Sequence, residues 1–172
     1  MAKDFLLVDG YNVINAWEDL LAKTVDLEHA RDKMIELLSG YGAYKGLQVR
    51  LVFDAQKVQG AVTTEEERSG IIVVYTREGL TADSYIERLA YQLVRQGERV
   101  YVVTSDSDEQ MAILGAGAYR ISCRELYRNI AEVKKMIGAA YAPTVLANGR
   151  QEVHERLGSS VAKRLEDLRR NR

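Results

Sequence analysis

Cysteine is nearly absent from this sequence of 172 residues. Cys123 has no second thiol in the chain to pair with, which suits a reducing, cytoplasmic compartment. The two histidines, His29 and His154, leave the chain short of the ligands that a structural zinc site needs. Any bound metal ion is therefore expected to be held by oxygen atoms.

Long apolar runs are missing as well. A membrane-spanning helix needs about 20 apolar residues, and no stretch of this sequence approaches that length. The apolar run near the N-terminus, Phe5 to Val8, lies between two aspartates and is too short for the core of a signal peptide. We therefore expect neither a membrane partner nor a secretory signal.

Charge is unevenly distributed, although the formal net charge is only −1. Residues 1–118 contain 12 Lys and Arg against 19 Asp and Glu, whereas residues 119–172 contain 12 against 6. An acidic body followed by a basic segment suits a metal-binding pocket beside a phosphate-binding surface. Solvated amphipathic helices would explain the same imbalance.

Four short runs of β-branched and aliphatic residues predict buried strands, because none of them alternates with polar residues. Helical spacing fills the intervals, for example from Leu27 to Tyr44 and from Ala82 to Gln96. This alternation predicts a three-layer α/β/α sandwich around a mostly parallel sheet. The strands are expected at Phe5–Val8, Val49–Phe53, Ile71–Tyr75 and Val100–Thr104.

Later segments complete the predicted organisation. A short strand is expected near residues 118–122, followed by a helix from Arg124 to about Ile137. The only proline, Pro143, lies in a glycine-bounded stretch that resembles a linker, and the polar residues 63–68 resemble a loop. We predict a main domain at residues 1–140, then a linker and basic C-terminal helix at 141–172.

Four aspartates stand just beyond predicted strands or at the start of a predicted helix. In an open α/β sheet, ligands bind in the crevice outside the carboxyl ends of the strands, so these side chains should converge there. A single aspartate after a strand is often only a turn former, but four in register indicate a site. The four are Asp9, Asp54, Asp83 and Asp106.

Grouped carboxylates repel one another, and no Lys or Arg lies within these short motifs to offset the repulsion. A divalent cation such as Mg²⁺ or Mn²⁺ would offset it, because such ions take oxygen ligands and bridge carboxylates to substrate phosphates. An ion of this kind can activate water for attack on phosphorus. We therefore predict cleavage of phosphodiester bonds. The substrate can be RNA or DNA at this point, because the metal site does not recognise the 2′-hydroxyl that distinguishes them.

Polar neighbours of these acids are expected to support the site. The amide of Asn12 can orient a carboxylate. Ser105 lies near a predicted helix start, where backbone amides favour anions. Glu87 lies four residues after Asp83 and therefore on the same helix face. Thr81 is expected to cap that helix, and Gly10 to permit a tight turn. The supporting residues are Asn12, Ser105, Asp108 and Glu87.

Basic and aromatic side chains indicate where a nucleic acid would bind. Arg120, Arg124 and Arg128 recur every four residues, so they would share one helix face if the helix begins early enough. Tyr11 would stack on a base, although packing in the core is the commoner use of such a residue. Further positive charges are expected at the active-site edge of the sheet, from Lys57, Arg68 and Arg77.

The motifs VDGYN, VFDA, TADSYIE and VTSDSDEQ occur in this order along the chain. Together they resemble the YacP-like branch of the NYN domain nucleases, which are relatives of the PIN domain and the flap-type nucleases. The resemblance covers roughly residues 4–137. It implies a PIN-like α/β/α fold, metal-dependent endoribonuclease activity and, for this bacterial branch, association with the ribosome and cleavage of messenger RNA there.

The same resemblance assigns roles to individual residues. Asp9, Asp83 and Asp106 match the metal-binding acids of the family. Asn12 matches the asparagine of its first motif, and Asp54 matches an acid at the end of the second strand. The resemblance does not indicate the oligomeric state, the cleavage sequence or the number of metal ions.

Three other protein classes fit parts of the pattern. A non-catalytic RNA-binding or ribosome-binding module of the same fold would have no obvious reason to keep the full acid set. A phosphoacceptor receiver domain would have paired acids after the first strand and a lysine after the last. A haloacid-dehalogenase phosphatase would have Asp-x-Asp where this chain has Asp9, Gly10 and Tyr11.

Overall fold

A computed structural model describes residues 1–17, 26–55, 60, 62–105, 113 and 115–156, and only the backbone for residues 140–156. Strands and helices alternate along most of this described chain, as the sequence predicts. In chain order they are β1 (Asp4–Asp9), α1 (Gly10–Ala16), α2 (Leu27–Lys45), β2 (Gln48–Phe53), β3 (Thr64–Arg68), β4 (Ile71–Tyr75), α3 (Ala82–Arg95), β5 (Arg99–Val103), β6 (Tyr119–Ile121) and α4 (Cys123–Arg156).

The strands form one six-stranded sheet in the order β3-β4-β2-β1-β5-β6. All neighbouring pairs are parallel except β3 with β4. β1 is flanked by β2 and β5, so its carboxyl end lies near the middle of that edge of the sheet. This arrangement confirms the predicted α/β fold with a mostly parallel sheet.

One face of the sheet packs against α3. Side chains from β1, β2, β4 and β5 join the apolar residues of that helix in one buried cluster. Leu7, Val52 and Val74 represent the strands, and Ile86 and Ala90 represent the helix. Apolar residues recur every three or four positions in α3, and this spacing predicts the buried face of the helix correctly.

The other face of the sheet packs against α1 and α2. Because alternate residues of a strand point to opposite faces, Val49 and Phe53 lie on the side away from Val52. A side-chain carbon added at Gly42 of α2 would come within 2.6 Å of Cγ2 of Val49. The helices therefore form layers on both sides of the sheet.

β3 is a difference from the sequence-based expectation, which treated residues 63–68 as a loop. It forms an antiparallel edge strand, joined to β4 by the two residues Ser69 and Gly70, both with positive φ. Positive φ at both central positions is the pattern of the tight turn that joins antiparallel strands. Three successive glutamates gave no apolar alternation, but charged residues are common on edge strands, where they discourage unwanted pairing.

α4 differs from the expected linker. It begins at Cys123 and runs through Pro143 to Arg156, so residues 138–149 are helical in the structure. The chain divides into two compact units, Met1–Ala131 and Glu132–Arg172. The domain boundary at residue 140 stays a prediction. In the part of the chain that the structure describes, no helix combines the length and apolarity that crossing a membrane requires.

Candidate active site

Asp9 ends the central strand β1 and also caps α1. Its Oδ1 accepts a hydrogen bond of 3.2 Å from the backbone N–H of Asn12, one of the amides that a helix start leaves without a helical partner. Asp9 is only 8% exposed. Since burying a carboxylate costs free energy, the hydrogen bond and the positive end of the helix dipole both help to hold the charge.

An open cavity of about 860 Å³ lies at the carboxyl edge of the sheet. Its lining includes Asp9 at the end of β1, Asp54 directly after β2 and Asp83 in the first turn of α3. The structure thus places three of the four predicted acids around one cavity. Asp106, the fourth acid, lies outside the described residues.

Asp54 lies between Phe53 and Ala55, and the backbone of each is hydrogen-bonded to Thr76. The backbone N–H of Thr76 donates to the carbonyl of Phe53 at 3.0 Å, and the hydroxyl of Thr76 accepts from the backbone N–H of Ala55 at 3.4 Å. Thr76 is fully buried. It therefore fixes the backbone on both sides of Asp54, a role that nothing in the sequence pattern indicated.

Asp83 owes its position to the start of α3. The hydroxyl of Thr81 accepts a hydrogen bond of 3.1 Å from the backbone N–H of Ser84, which confirms the predicted helix cap. The unpaired amides of the first turn give that end of the helix a partial positive charge. A carboxylate at position 83 is stabilised there while it lines the cavity.

Asn12 connects three elements at the edge of the site. Its Oδ1 accepts hydrogen bonds from the backbone N–H of Ser105 at 3.2 Å and from the Ser105 hydroxyl at 2.8 Å. The thiol of Cys123 lies 3.4 Å from the same oxygen. Because a backbone N–H can only donate, the amide oxygen must face it. Asn12 thereby joins α1 to the segment after β5 and to the start of α4.

The rings of Tyr11, Phe53 and Tyr75 form an aromatic wall at this cavity. The ring of Phe53 lies between those of Tyr11 and Tyr75, with centroid separations of 5.0 Å and 5.7 Å. Tyr11 and Tyr75 both line the cavity. Tyr11 thus packs on the core and also borders the open space, which combines the two uses that the sequence left open.

Among the polar and aromatic residues that line the cavity, sequence reasoning missed three: Asn15, Arg31 and Tyr75. Tyr75 ends β4 opposite Phe53, so its strand register carried a usable signal. A search for acids alone passed it over. Arg31 lies on α2, and no local spacing connects that helix to the strand ends.

The side chains around the cavity suit the divalent ion that the sequence implies. Its lining contains three carboxylates and, among the described residues, no cysteine or histidine, which is the donor chemistry of a hard cation. In the described part of the chain, no three acidic, histidine or cysteine side chains stand close enough to form a compact metal group. Mg²⁺ does not require one, because it often binds through one or two carboxylates and keeps several waters. The donor atoms of the lining are therefore of the type that binds Mg²⁺ or Mn²⁺.

Two of the predicted residues line other cavities. Glu87 lines a different one, together with Arg88 and Tyr91, although it follows Asp83 on the same helix. Arg77 lies just beyond β4 and lines a third, smaller cavity. Asp108 and Lys57 lie outside the described residues.

The predicted position of Arg68 at the active-site edge of the sheet was wrong. Arg68 pairs in register with Ile71, the first residue of β4, so it lies at the edge of the sheet opposite the acids. It forms an ion pair of 3.0 Å with Asp32 there. The reason is that β3 runs antiparallel to β4, so the last residue of β3 lies beside the first residue of β4.

The arginine trio does not share one helix face. Arg120 lies on β6, where its guanidinium donates to the carbonyl of Thr104 at 3.4 Å, because α4 begins only at Cys123. Arg124 and Arg128 are exposed and four residues apart in that helix. They can therefore form a common basic surface without Arg120.

Comparison with known proteins extends these observations. The sequence matches the family model of the YacP-like NYN domain over residues 6–170. The curated "Uncharacterized protein YacP" of Bacillus subtilis (strain 168) is 42% identical over 135 residues, which cover 78% of this chain and 79% of that protein.

Solved structures give a consistent result. The crystal structure of Rae1 (YacP) from Bacillus subtilis matches with a TM-score of 0.71 and 38% identity, covering 97% of this chain and 95% of that one. A point mutant of Rae1 matches with a TM-score of 0.66 and 40% identity over 79% of each chain. With the family model matched over nearly its whole length and a relative at 42% identity, this chain belongs to the YacP-like NYN domain family.

Proposed function

We propose that this protein is an endoribonuclease that hydrolyses RNA phosphodiester bonds with the help of Mg²⁺ or Mn²⁺. The observation that carries the proposal is the convergence of Asp9, Asp54 and Asp83 on one cavity at the carboxyl edge of the sheet. NYN domains are nucleases, and the chain belongs to one of their families. A ring of carboxylates around an open cavity suits cation-assisted chemistry on a polyanion.

Each acid has a proposed role. Asp9 and Asp83 hold the divalent ion together with Asp106, and Asp54 extends the acidic lining. When bound, the ion supplies positive charge that offsets the negative charge developing on the phosphodiester. In the hydrolysis, the oxygen of a water molecule bonds to phosphorus, and the departing ribose oxygen takes up a proton.

Asn12 is proposed as a positioning residue. It tethers the segment after β5, which leads towards Asp106 in the sequence, to the helix that Asp9 caps. A displacement of about 1 Å in such a group can cost a large factor in rate. Ser105 has the same role, because its backbone and hydroxyl both donate to Asn12.

The proposed substrate is messenger RNA on the ribosome. Support comes from the motif resemblance and from the basic C-terminal third of the sequence, which suits contact with phosphates. Arg124 and Arg128 supply a described part of that positive charge. Arg77, Arg120 and Lys57 are proposed as weaker contacts with the RNA.

The test is cleavage of an end-labelled messenger RNA by the full chain, with and without ribosomes, in Mg²⁺, Mn²⁺ or EDTA. The proposal predicts internal cuts that ribosomes stimulate and EDTA abolishes. Binding to RNA or ribosomes without cutting in any metal would replace the nuclease with a binding module. Equal cutting with and without ribosomes would leave the nuclease but remove its ribosomal substrate.

A further inference from the structure

Arg31 is the one basic side chain among the described residues that line the acidic cavity. It lies in the second turn of α2 and is partly buried. Its Nη1 donates to the hydroxyl of Tyr11 at 3.2 Å. The hydroxyl of Tyr11 therefore helps to hold the guanidinium in place at the wall of the cavity.

Three other arginines of the same compact unit are paired with carboxylates. Arg50 contacts Glu65 at 3.1 Å, Arg68 contacts Asp32 at 3.0 Å, and Arg99 contacts Asp4 at 2.8 Å. Within the described residues, no ion pair involves Arg31, although three carboxylates line its cavity. A guanidinium has five N–H donors, so most of them are available to a ligand.

The aromatic wall lies directly beside this guanidinium. Tyr11, which accepts the hydrogen bond from Arg31, is also the first ring of the series that continues through Phe53 to Tyr75. Nucleobases stack on such rings with little regard to sequence, because every base has a π-face. A cation beside stacking surfaces matches the two parts of a nucleotide, its phosphate and its base.

We propose that Arg31, Tyr11 and Tyr75 form a subsite for one nucleotide of the RNA chain, beside the bond that is cut. Arg31 binds the phosphate through its planar fork of N–H donors, and the two tyrosines contact the base. The inference rests on the proposed function, because it assigns these residues to the same substrate. It also explains how a polyanion can approach three carboxylates, since Arg31 offsets part of their repulsion.

The test measures binding without catalysis. A fluorescein-labelled single-stranded oligoribonucleotide and an abasic oligomer with the same number of phosphates are titrated with the full chain in EDTA over a range of salt. Wild type is compared with Arg31→Ala, Arg31→Lys and Tyr75→Leu, and thermal melting checks that each variant folds. Arg68→Ala is the matched control, because that arginine lies at the opposite edge of the sheet.

Arg31→Ala should raise the Kd for RNA about tenfold, the effect of losing one charged hydrogen-bonding contact. It should also flatten the logarithmic salt slope by about 0.7, the value for one phosphate contact with a single strand. Both effects should persist on the abasic oligomer, and Arg31→Lys should restore the slope. Tyr75→Leu should weaken binding to RNA but not to the abasic oligomer, while Arg68→Ala should leave both within about twofold of wild type.

The outcomes separate the subsite from the nuclease. If Arg31→Ala binds RNA with the Kd and salt slope of Arg68→Ala, the subsite is wrong, even if wild type cuts RNA. If wild type binds RNA and depends on Arg31 but cuts in no metal, the subsite stands and the nuclease is wrong. A folded wild-type chain that neither binds nor cuts RNA overturns both.

Discussion

Gly10 is required by the close approach of an aromatic ring. It is the first residue of α1, and a Cβ added there would lie 2.2 to 2.8 Å from three carbons of the Phe53 ring. That ring is fully buried and lies between Tyr11 and Tyr75, so it has little room to shift. The smallest residue therefore supports both α1 and the aromatic wall.

Replacing Gly10 with alanine should lower the free energy of unfolding by about 1 to 3 kcal/mol, the usual cost of overpacking a filled core. Gly40 is the matched control, since it lies within α2 and an added Cβ meets nothing within 4 Å. Gly40→Ala should raise the free energy of unfolding by up to about 1 kcal/mol through helix propensity. Urea denaturation of both variants measures the difference, and an equal change in the two would contradict the predicted contact.

Some residues of the site could be predicted from the sequence, and others could not. Asp9, Asp54 and Asp83 follow strand ends or begin a helix, so the rule for parallel sheets is enough to place them at one edge. Arg31 reaches the cavity only through the packing of α2, and Thr76 acts through two backbone contacts. Such contacts depend on tertiary structure and leave no local pattern.

At the scale of elements, α2 begins with a charged cap. Asp26 accepts a hydrogen bond of 2.9 Å from the backbone N–H of His29, and its carboxylate lies 2.8 Å from Nδ1 of the same histidine. The backbone and side-chain hydrogen bonds to His29 lower the pKa of Asp26. The side-chain hydrogen bond to Asp26, followed by its charge, raises the pKa of His29 above 6.5.

The pair should stabilise the start of α2 within a limited range of pH. The histidine contributes fully below its ordinary pKa of 6.5, and its contribution is lost as pH rises through the raised value. The carboxylate contributes fully above its ordinary pKa of 3.8, and its contribution is lost as pH falls through the lowered value. The full effect of the pair is therefore expected between pH 3.8 and 6.5.

Asp26→Asn should lower the pKa of His29 towards its ordinary value while keeping the helix cap, since asparagine caps helices as well as aspartate does. NMR titration of the His29 imidazole measures the shift in both proteins, with His154 as an internal reference. An unchanged His29 pKa in the variant would show that the carboxylate does not cause the shift.

Most elements were predictable because their patterns are strong. α3 was predicted as 82–96 and occurs at Ala82–Arg95, and the four apolar runs each form a strand. β3 has no apolar face and is held by backbone pairing with β4, so only the turn at Ser69 and Gly70 could have indicated it. The boundary between β6 and α4 was predicted within about one residue, so the condition for placing Arg120 on the helix face, an earlier start of the helix, is not met.

The whole molecule combines an acidic cavity with a basic sequence segment. Binding of a divalent ion should stabilise the folded state, because the unfolded chain does not gather the same carboxylates. At a concentration one hundred times the dissociation constant, the gain is about 2.7 kcal/mol. The cavity thus predicts an effect on stability that is independent of RNA.

Adding Mg²⁺ or Mn²⁺ to the EDTA-treated protein should raise the Tm of wild type. Asp9→Asn should reduce that rise, because it removes a ligand charge while keeping a residue that can cap α1. Differential scanning fluorimetry at several metal concentrations measures both proteins. An identical rise in the variant would place the bound ion somewhere other than this cavity.

RNA cleavage is proposed to depend on the carboxylates around this cavity. Single-turnover cleavage of a labelled messenger RNA in Mg²⁺ tests it most directly, comparing wild type with Asp9→Asn, Asp83→Asn and Glu87→Gln. Asp83 and Glu87 belong to the same helix, but only Asp83 lines the cavity, so Glu87→Gln controls for the loss of one charge from α3. We expect a loss of at least about a hundredfold in the two aspartate variants, the usual scale for a positioned catalytic group, and little change in Glu87→Gln. Cleavage by folded Asp9→Asn and Asp83→Asn at the wild-type rate would contradict it.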